Sequence, residues 1–349
     1  MIRTILTAFL GSALLFSSET SPAQPVTEFG LSADHFSVNG KPTFLLGVSY
    51  FDALDWHLSD LDALHSHRFN LIRVFLDWHT HEGNGAESVF DQHGNFVRGD
   101  TIHALVRAAA ARGIIVDVTI LHAYSDAHLA TSATRQNAIR TAIEGLAGEP
   151  NVFFDLINEH EENSLGPPDW SASHQTVQTM MQVARRANPN AVLFVSCTTN
   201  HMFFSDRSLQ INSTNIDEEL SAGLQVLAPH FERNDLWYDQ TGERVTALKS
   251  YLSSIGRPFV PIYLQEENRR GFVNFPPAYQ FIQAARQARD AGAAGWIFHS
   301  AAGFDLRDHT FVEALDAEEQ IALEQLANAV FGPAAGSAPP DLPSGLGSS

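Results

Sequence analysis

The chain has 349 residues, with 40 acidic against 21 basic side chains and a formal net charge of −19. A surface of that sign argues against nucleic acid or anionic membrane as a partner. The single cysteine, Cys197, excludes an internal disulfide, so stability must come from a large core.

The first segment reads as a secretory signal peptide over residues 1–23. It has a charged start at Met1-Ile-Arg3, an apolar run from Ile5 to Phe16, and small residues at Ser21-Pro22-Ala23. The run is too short to span a bilayer, and no later segment reaches that length, so no membrane insertion is expected. The mature protein is expected to be secreted or periplasmic, and to act as a monomer. Residues 332–349 are rich in Pro, Gly and Ser with almost no charge, and read as a disordered tail.

Between these ends strands and helices alternate. Phe36 to Phe44 carries Asn39-Gly40 between alternating apolar residues, a hairpin signal ahead of the first core strand. Strands are expected at Thr43–Val48, Asn70–Asp77, Ile114–Leu121, Asn151–Ile157, Ala191–Cys197, Leu224–Pro229, Pro258–Gln265 and Ala294–Phe298. Helices are expected at Asp55–His67, Asp100–Arg112, Ser132–Ala147, Asp169–Asn188, Glu243–Ile255, Pro276–Ala291 and Val312–Phe331. From His201 to Glu219 the pattern is unclear, and the helix of that unit reads as short or broken. Eight strands with helices between them make an α/β fold, a single (β/α)8 TIM barrel over residues 24–331 with a short N-terminal β-hairpin.

In such a barrel the carboxyl ends of the strands meet at one mouth. The residues collected there are Tyr50, Arg73, His122, Tyr124, Asn158, Glu159, His230, Glu266 and Trp296. Two carboxylates on strands four and seven, one protonated and one ionised, are what cleavage of a glycosidic bond requires. Arg73 is suited to keep one ionised, while burial beside an apolar wall keeps the other protonated.

These residues resemble a family. Asn158-Glu159 ending strand four and a Glu ending strand seven look like the clan of retaining glycoside hydrolases on (β/α)8 barrels that contains the family 5 cellulases and mannanases. Asn70-Leu-Ile-Arg73-Val, His122-Ala-Tyr124 and Gly295-Trp296 match positions in that pattern, over roughly Phe36 to Phe331. The resemblance implies Glu159 as acid/base, Asn158 on the neighbouring sugar hydroxyl and Glu266 as nucleophile. Arg73 with Tyr263 or His230 would support Glu266, His122 and Tyr124 would line the substrate site, and Trp296 would be a sugar platform. An oligo- or polysaccharide substrate and no cofactor follow from the same resemblance. The chain departs from the family where His160 replaces the usual Pro after Asn-Glu, and where Glu266 is followed by Glu267 and Asn268. Either Glu could face inward; counting from Pro261 favours Glu266.

Two other readings compete. His79-Thr-His81 has the His-x-His form of metal-dependent barrel hydrolases, with His122, His230, His299 and Asp305 available as further ligands. A barrel that binds carbohydrate without cleaving it is the other. Trp56, Trp78, Trp170 and Trp237 also fall near the rim, where indole faces can meet sugar C–H groups.

Overall fold

The computed structural model describes residues 27–78, 88–122, 125, 128–160, 174–198, 201–205 and 208–334. The expected leader, the tail from residue 335, Tyr124, Trp170 and the His79–His81 pair lie outside these.

A three-stranded antiparallel sheet comes first: β1 (Phe29–Ser32), β2 (His35–Val38) and β3 (Lys41–Pro42). Asn39 and Gly40 both have positive φ, 51° and 73°, as a tight turn between twisted strands requires. This sheet plugs the barrel. Phe29 stacks on Phe153 at 4.4 Å, and Phe36 meets Tyr263 edge-on at 5.4 Å.

The staves follow: β4 (Leu45–Asp52), β5 (Leu71–Phe75), β6 (Ile115–Leu121), β7 (Val152–Ile157) and β8 (Leu193–Phe194). After β8 the fifth stave continues as β9 (Ser196–Cys197), which leaves β7 and pairs with β12 (Ala228–Pro229). A bridge from Leu227 to Ile262 joins β12 to the stave of β13 (Tyr263–Leu264), and β14 (Gly295–Phe298) returns to β4. Every pairing round the ring is parallel. The staves are buried on both faces, which explains their near-continuous Val, Ile, Leu and Phe.

The helices lie outside: α1 (Leu58–Ser66), α2 (Gly99–Ala110), α3 (Ser132–Gly145), α4 (His174–Ala187), α5 (Ser213–Ala222), α6 (Trp237–Ser254) and α7 (Ala278–Asp290). The unclear stretch resolves into a hairpin, β10 (Met202–Ser205) with β11 (Ser208–Ile211), and then the complete helix α5. The single closing helix expected from Val312 is two: α8 (Phe311–Ala314) and α9 (Ala317–Phe331). Thr310 and Asp316 each form a capping box that starts a new helix.

β4 also runs further than expected, and its register shifts between Ser49 and Asp52. Tyr50 is therefore buried within the strand rather than at the mouth. Its hydroxyl donates to Asp60 at 2.8 Å and accepts from the His57 N–H, tying β4 to α1.

Candidate active site

The floor of the mouth is a charged layer set by strand register. Arg73 on β5 stands opposite Asp117 on β6, and Thr119 stands opposite Asp155 on β7. The Arg73 guanidinium is fully buried and reaches four groups. Its Nη1 donates to Glu266 Oε1 at 2.5 Å, and its Nη2 to Asp155 at 3.0 Å and Asn158 Oδ1 at 2.8 Å. Its Nε donates to Thr119 Oγ1 at 3.1 Å. A buried cation of this kind needs such company. Tyr263, expected beside Glu266, instead donates its hydroxyl to Asp117 at 2.9 Å, and Gln265 Nε2 donates to the same oxygen at 2.7 Å. Burial, with Asp155 nearby, pushes Asp117 up to about 7 despite Arg73.

Above this floor sit the two glutamates. One oxygen of Glu159, one of Glu266 and a ring nitrogen of His230 lie within 4.8 Å of one another. Burial alone would raise Glu266. The surrounding charge of His230, Arg73 and Arg233 holds it well below the usual carboxylate range. His299 also lies 3.4 Å from Glu266. Burial and the two arginines nearby hold it neutral, its Nδ1–H donating to Ser49 and its Nε2 accepting from Arg269. It therefore brings Glu266 no charge. Arg233 Nη2 reaches Glu266 Oε2 at 3.2 Å.

His230 bridges acceptors on both sides. Its Nδ1 lies 2.9 Å from Glu159 Oε1, and its Nε2 lies 3.3 Å from Gln265 Oε1. The Gln265 amide is oriented by its own donation to Asp117, so an oxygen faces the imidazole. Two acceptors favour the doubly protonated ring. Burial lowers His230, but Glu266 and Glu159 outweigh it and the net shift is upward.

Glu159 has φ 49°, a left-handed conformation that costs a non-glycine residue on the order of 1–3 kcal/mol. Ser196 on β9 supports it, taking the Glu159 N–H on its hydroxyl at 3.2 Å and the His160 N–H on its carbonyl at 3.2 Å. The next side chain is anchored too. His160 Nε2 lies 2.9 Å from Glu219 Oε1 on α5, and His201 Nε2 lies 2.8 Å from Oε2. Burial would raise Glu219, yet the two imidazoles bring it down to about 2. Cys197 is fully buried, its Sγ 2.8 Å from His201 Nδ1.

The sequence expectations divide accordingly. Arg73, Asn158, Glu159, His230 and Glu266 converge. His122 sits at the mouth with its Nε2 donating to the Asp77 carbonyl at 2.7 Å, beside Phe75 and Trp78. Trp296 is a correction. It is 1 % exposed, and its indole N–H donates to Glu267 at 2.5 Å, so it packs behind the sheet and offers no face to a sugar. Glu267 faces the same way, accepting from Thr241 at 2.6 Å, whereas Glu266 faces the mouth. Trp237 is buried in α6, and Trp78 packs on Phe51, Phe75 and Phe304.

Asp117, Asp155, Gln265, Arg233 and Arg269 were not expected at the site. The first two had a signal: acids at alternate positions in otherwise apolar strands, in phase with Thr119 and Phe153.

A buried arginine holding one carboxylate ionised, with a second carboxylate close by at the mouth of a (β/α)8 barrel, is an arrangement suited to a glycoside hydrolase. Residues 34–243 match the family described as Cellulase (glycosyl hydrolase family 5), and the chain belongs to that family. Solved structures agree on the fold. The chain is similar to an endo-1,4-beta-mannanase from Rhizomucor miehei (13 % identity, 87 % of this chain and 99 % of that one, TM-score 0.58). It is also similar to a beta-mannanase from the blue mussel Mytilus edulis (14 %, 86 % and 97 %, 0.55) and an endo-beta-1,4-mannanase from Thermotoga petrophila (11 %, 84 % and 78 %, 0.59). No curated relative matches the chain in sequence.

Proposed function

We propose that the enzyme is a retaining glycosidase that cleaves a β-linked oligo- or polysaccharide by double displacement. Glu266 attacks the anomeric carbon while Glu159 protonates the departing oxygen. Glu159 then takes a proton from the water that releases the sugar from Glu266. The observation that carries this reading is the approach of the two carboxylates, with oxygens within 4.8 Å. Retaining enzymes hold their carboxyl groups closer, about 5–5.5 Å apart, than inverting ones, which leave about 6.5–9.5 Å for a water, and the near approach of one oxygen from each group favours the former. Asn158, fixed by Arg73, is suited to bind a hydroxyl of the sugar at Glu266. His230, 2.9 Å from Glu159 Oε1, is placed to exchange a proton with it. Mannanases among the similar structures make a β-linked mannan or related glycan the first polymer to try. Residues 1–23 support export, and the enzyme is expected to work as a monomer.

The test is intact mass after incubation with activated 2-deoxy-2-fluoro β-glycosides. Fluorine slows breakdown of the glycosyl-enzyme, so the mass rises by one sugar, and peptide mapping puts that sugar on Glu266. Polysaccharide turnover without any trapped sugar, giving product of inverted anomeric configuration, would overturn the mechanism. Binding of glycans with no product, unchanged by Glu159→Ala, would leave only a binding barrel.

A further inference from the structure

Both oxygens of Glu266 are occupied by guanidinium groups. Oε1 is held by Arg73, which is locked in the floor by Asp155, Asn158 and Thr119. Oε2 is held by Arg233 at 3.2 Å. A carboxylate oxygen held in a charge-assisted bond gives electrons to carbon less readily, so attack is faster when one of these bonds loosens. Arg73 cannot leave. Arg233 can: its side chain is 16 % exposed, and among the described residues its other hydrogen bond is a single one from Nε to the Glu267 carbonyl.

A second guanidinium stands beside it. Arg269 donates to His299, and it shares with Arg233 the ring of Phe272, at 4.3 Å and 4.8 Å. The two like charges repel, and Arg269 is lowered by burial and by Arg233. The anions that offset Arg269 among the described residues are Glu266 and Glu159 themselves. When Glu159 carries the proton that catalysis needs, the arginine wall is one negative charge short. In a chain with nearly twice as many acidic as basic side chains, this local excess of cations among the described residues runs against the composition. The overall charge does not prevent it from working, because charges beyond about 8 Å are screened at physiological ionic strength.

We infer that the sugar seated at Glu266 carries an anionic group, a uronate carboxylate or a sulfate ester, bound by Arg233 and Arg269. Its arrival draws Arg233 from Glu266 Oε2 and frees that oxygen for attack, so the correct substrate unlocks its own nucleophile. Arg233 and Arg269 are then determinants of specificity. The inference rests on the glycosidase reading above.

The test compares aryl β-glycosides that differ only at C6, namely the glucoside, the glucuronide and the glucoside 6-sulfate, with the mannose-configured set run alongside. With an anionic group matched to a built site, the preference in kcat/KM is expected to be on the order of 10²-fold or more. A preference for uronide over sulfate, or the reverse, identifies the group. Arg233→Met and Arg269→Met should each collapse the anionic-to-neutral ratio towards one, and Arg233→Lys should restore part of it. Melting curves check that each variant is folded. Equal or faster turnover of the neutral glycosides by the wild type overturns the inference and leaves the glycosidase reading standing. An equal loss on both kinds of substrate in the Met variants does the same. No turnover and no trapped sugar with any glycoside, and no product from any polysaccharide, overturns both.

Discussion

Glu159 and Glu266 differ in what surrounds them, and their substitutions should differ in kind. Glu159→Ala should reduce kcat/KM by about 10²–10⁴ on substrates with poor leaving groups and much less on activated aryl glycosides, which need no proton. Glu266→Ala should reduce both to background. Because positive charge holds Glu266 well below the ordinary carboxylate range, its ionised form persists far into acid. The acid limb of the pH–kcat/KM profile should accordingly lie below pH 4.5. His230, hydrogen-bonded to Glu159, is the group placed to set the other limb. With His230 shifted upward, that limb should lie above about 6.5, the ordinary imidazole value, and His230→Asn should move it down. A basic limb unmoved in this variant would remove His230 from the proton's path. Much of this arrangement could be read from the chain, since Arg73, Asn158, Glu159 and Glu266 interrupt or end apolar runs. Asp117 and Asp155 escaped because strand assignment by hydrophobicity treats a single buried acid as noise. Trp296 misled for the converse reason: alternation along β14 turns it to the helix side, and one residue of phase decides between platform and packing.

The element that the sequence hid most completely is the one holding the Glu159 loop. Between His201 and Glu219 polar and apolar residues mix without one period, since a hairpin and a helix share the stretch. The sixth and seventh staves are short for a local reason, because Pro229, Pro258 and Pro261 have no N–H to give to a ladder. Helix α5 matters because it carries Glu219, the buried partner of both His160 and His201. Glu219→Ala leaves two imidazoles in a closed pocket and should cost about 3–5 kcal/mol, read as a lower denaturation midpoint at unchanged m-value. Activity per folded molecule should fall as well, because His160 follows Glu159 directly. The plug is separable from the site. Phe36→Ala should cost about 3–5 kcal/mol by opening a cavity against Phe153 and Tyr263, with kcat/KM unchanged in the folded fraction.

For the molecule as a whole, the buried acids give stability a defined pH dependence. Burial pushes Asp77 up to about 6 and Asp117 up to about 7, and raises Asp155, Glu267 and Glu319. In these groups the folded state binds protons more tightly than the unfolded chain. Stability is therefore lost as pH rises from about 4 through 7. Glu219 and Glu266 act the other way, with stability present above their unfolded values near 4.5 and lost as pH falls towards 2. His230 adds stability below 6.5 that disappears as pH rises through its raised folded value. The melting temperature should peak near about pH 5 and be lower at both pH 3 and pH 8 in differential scanning calorimetry. A maximum at pH 8 would contradict this balance.

The two ends of the barrel leave it from the same side. Thr27 and Phe29 bond to Ala110 and Pro150, which lead into β6 and β7, and Gly332 accepts from Arg68, just ahead of β5. All of these sit where staves begin, under the plug and opposite the mouth. Joined through either end to a bead, a scaffold or another module, the enzyme would hold its catalytic face outward, open to a polymer sliding past. Fixed instead through the exposed Phe272–Phe275 loop, it would be turned face down on its support. Immobilised preparations of the two kinds should therefore differ on long chains and agree on short ones.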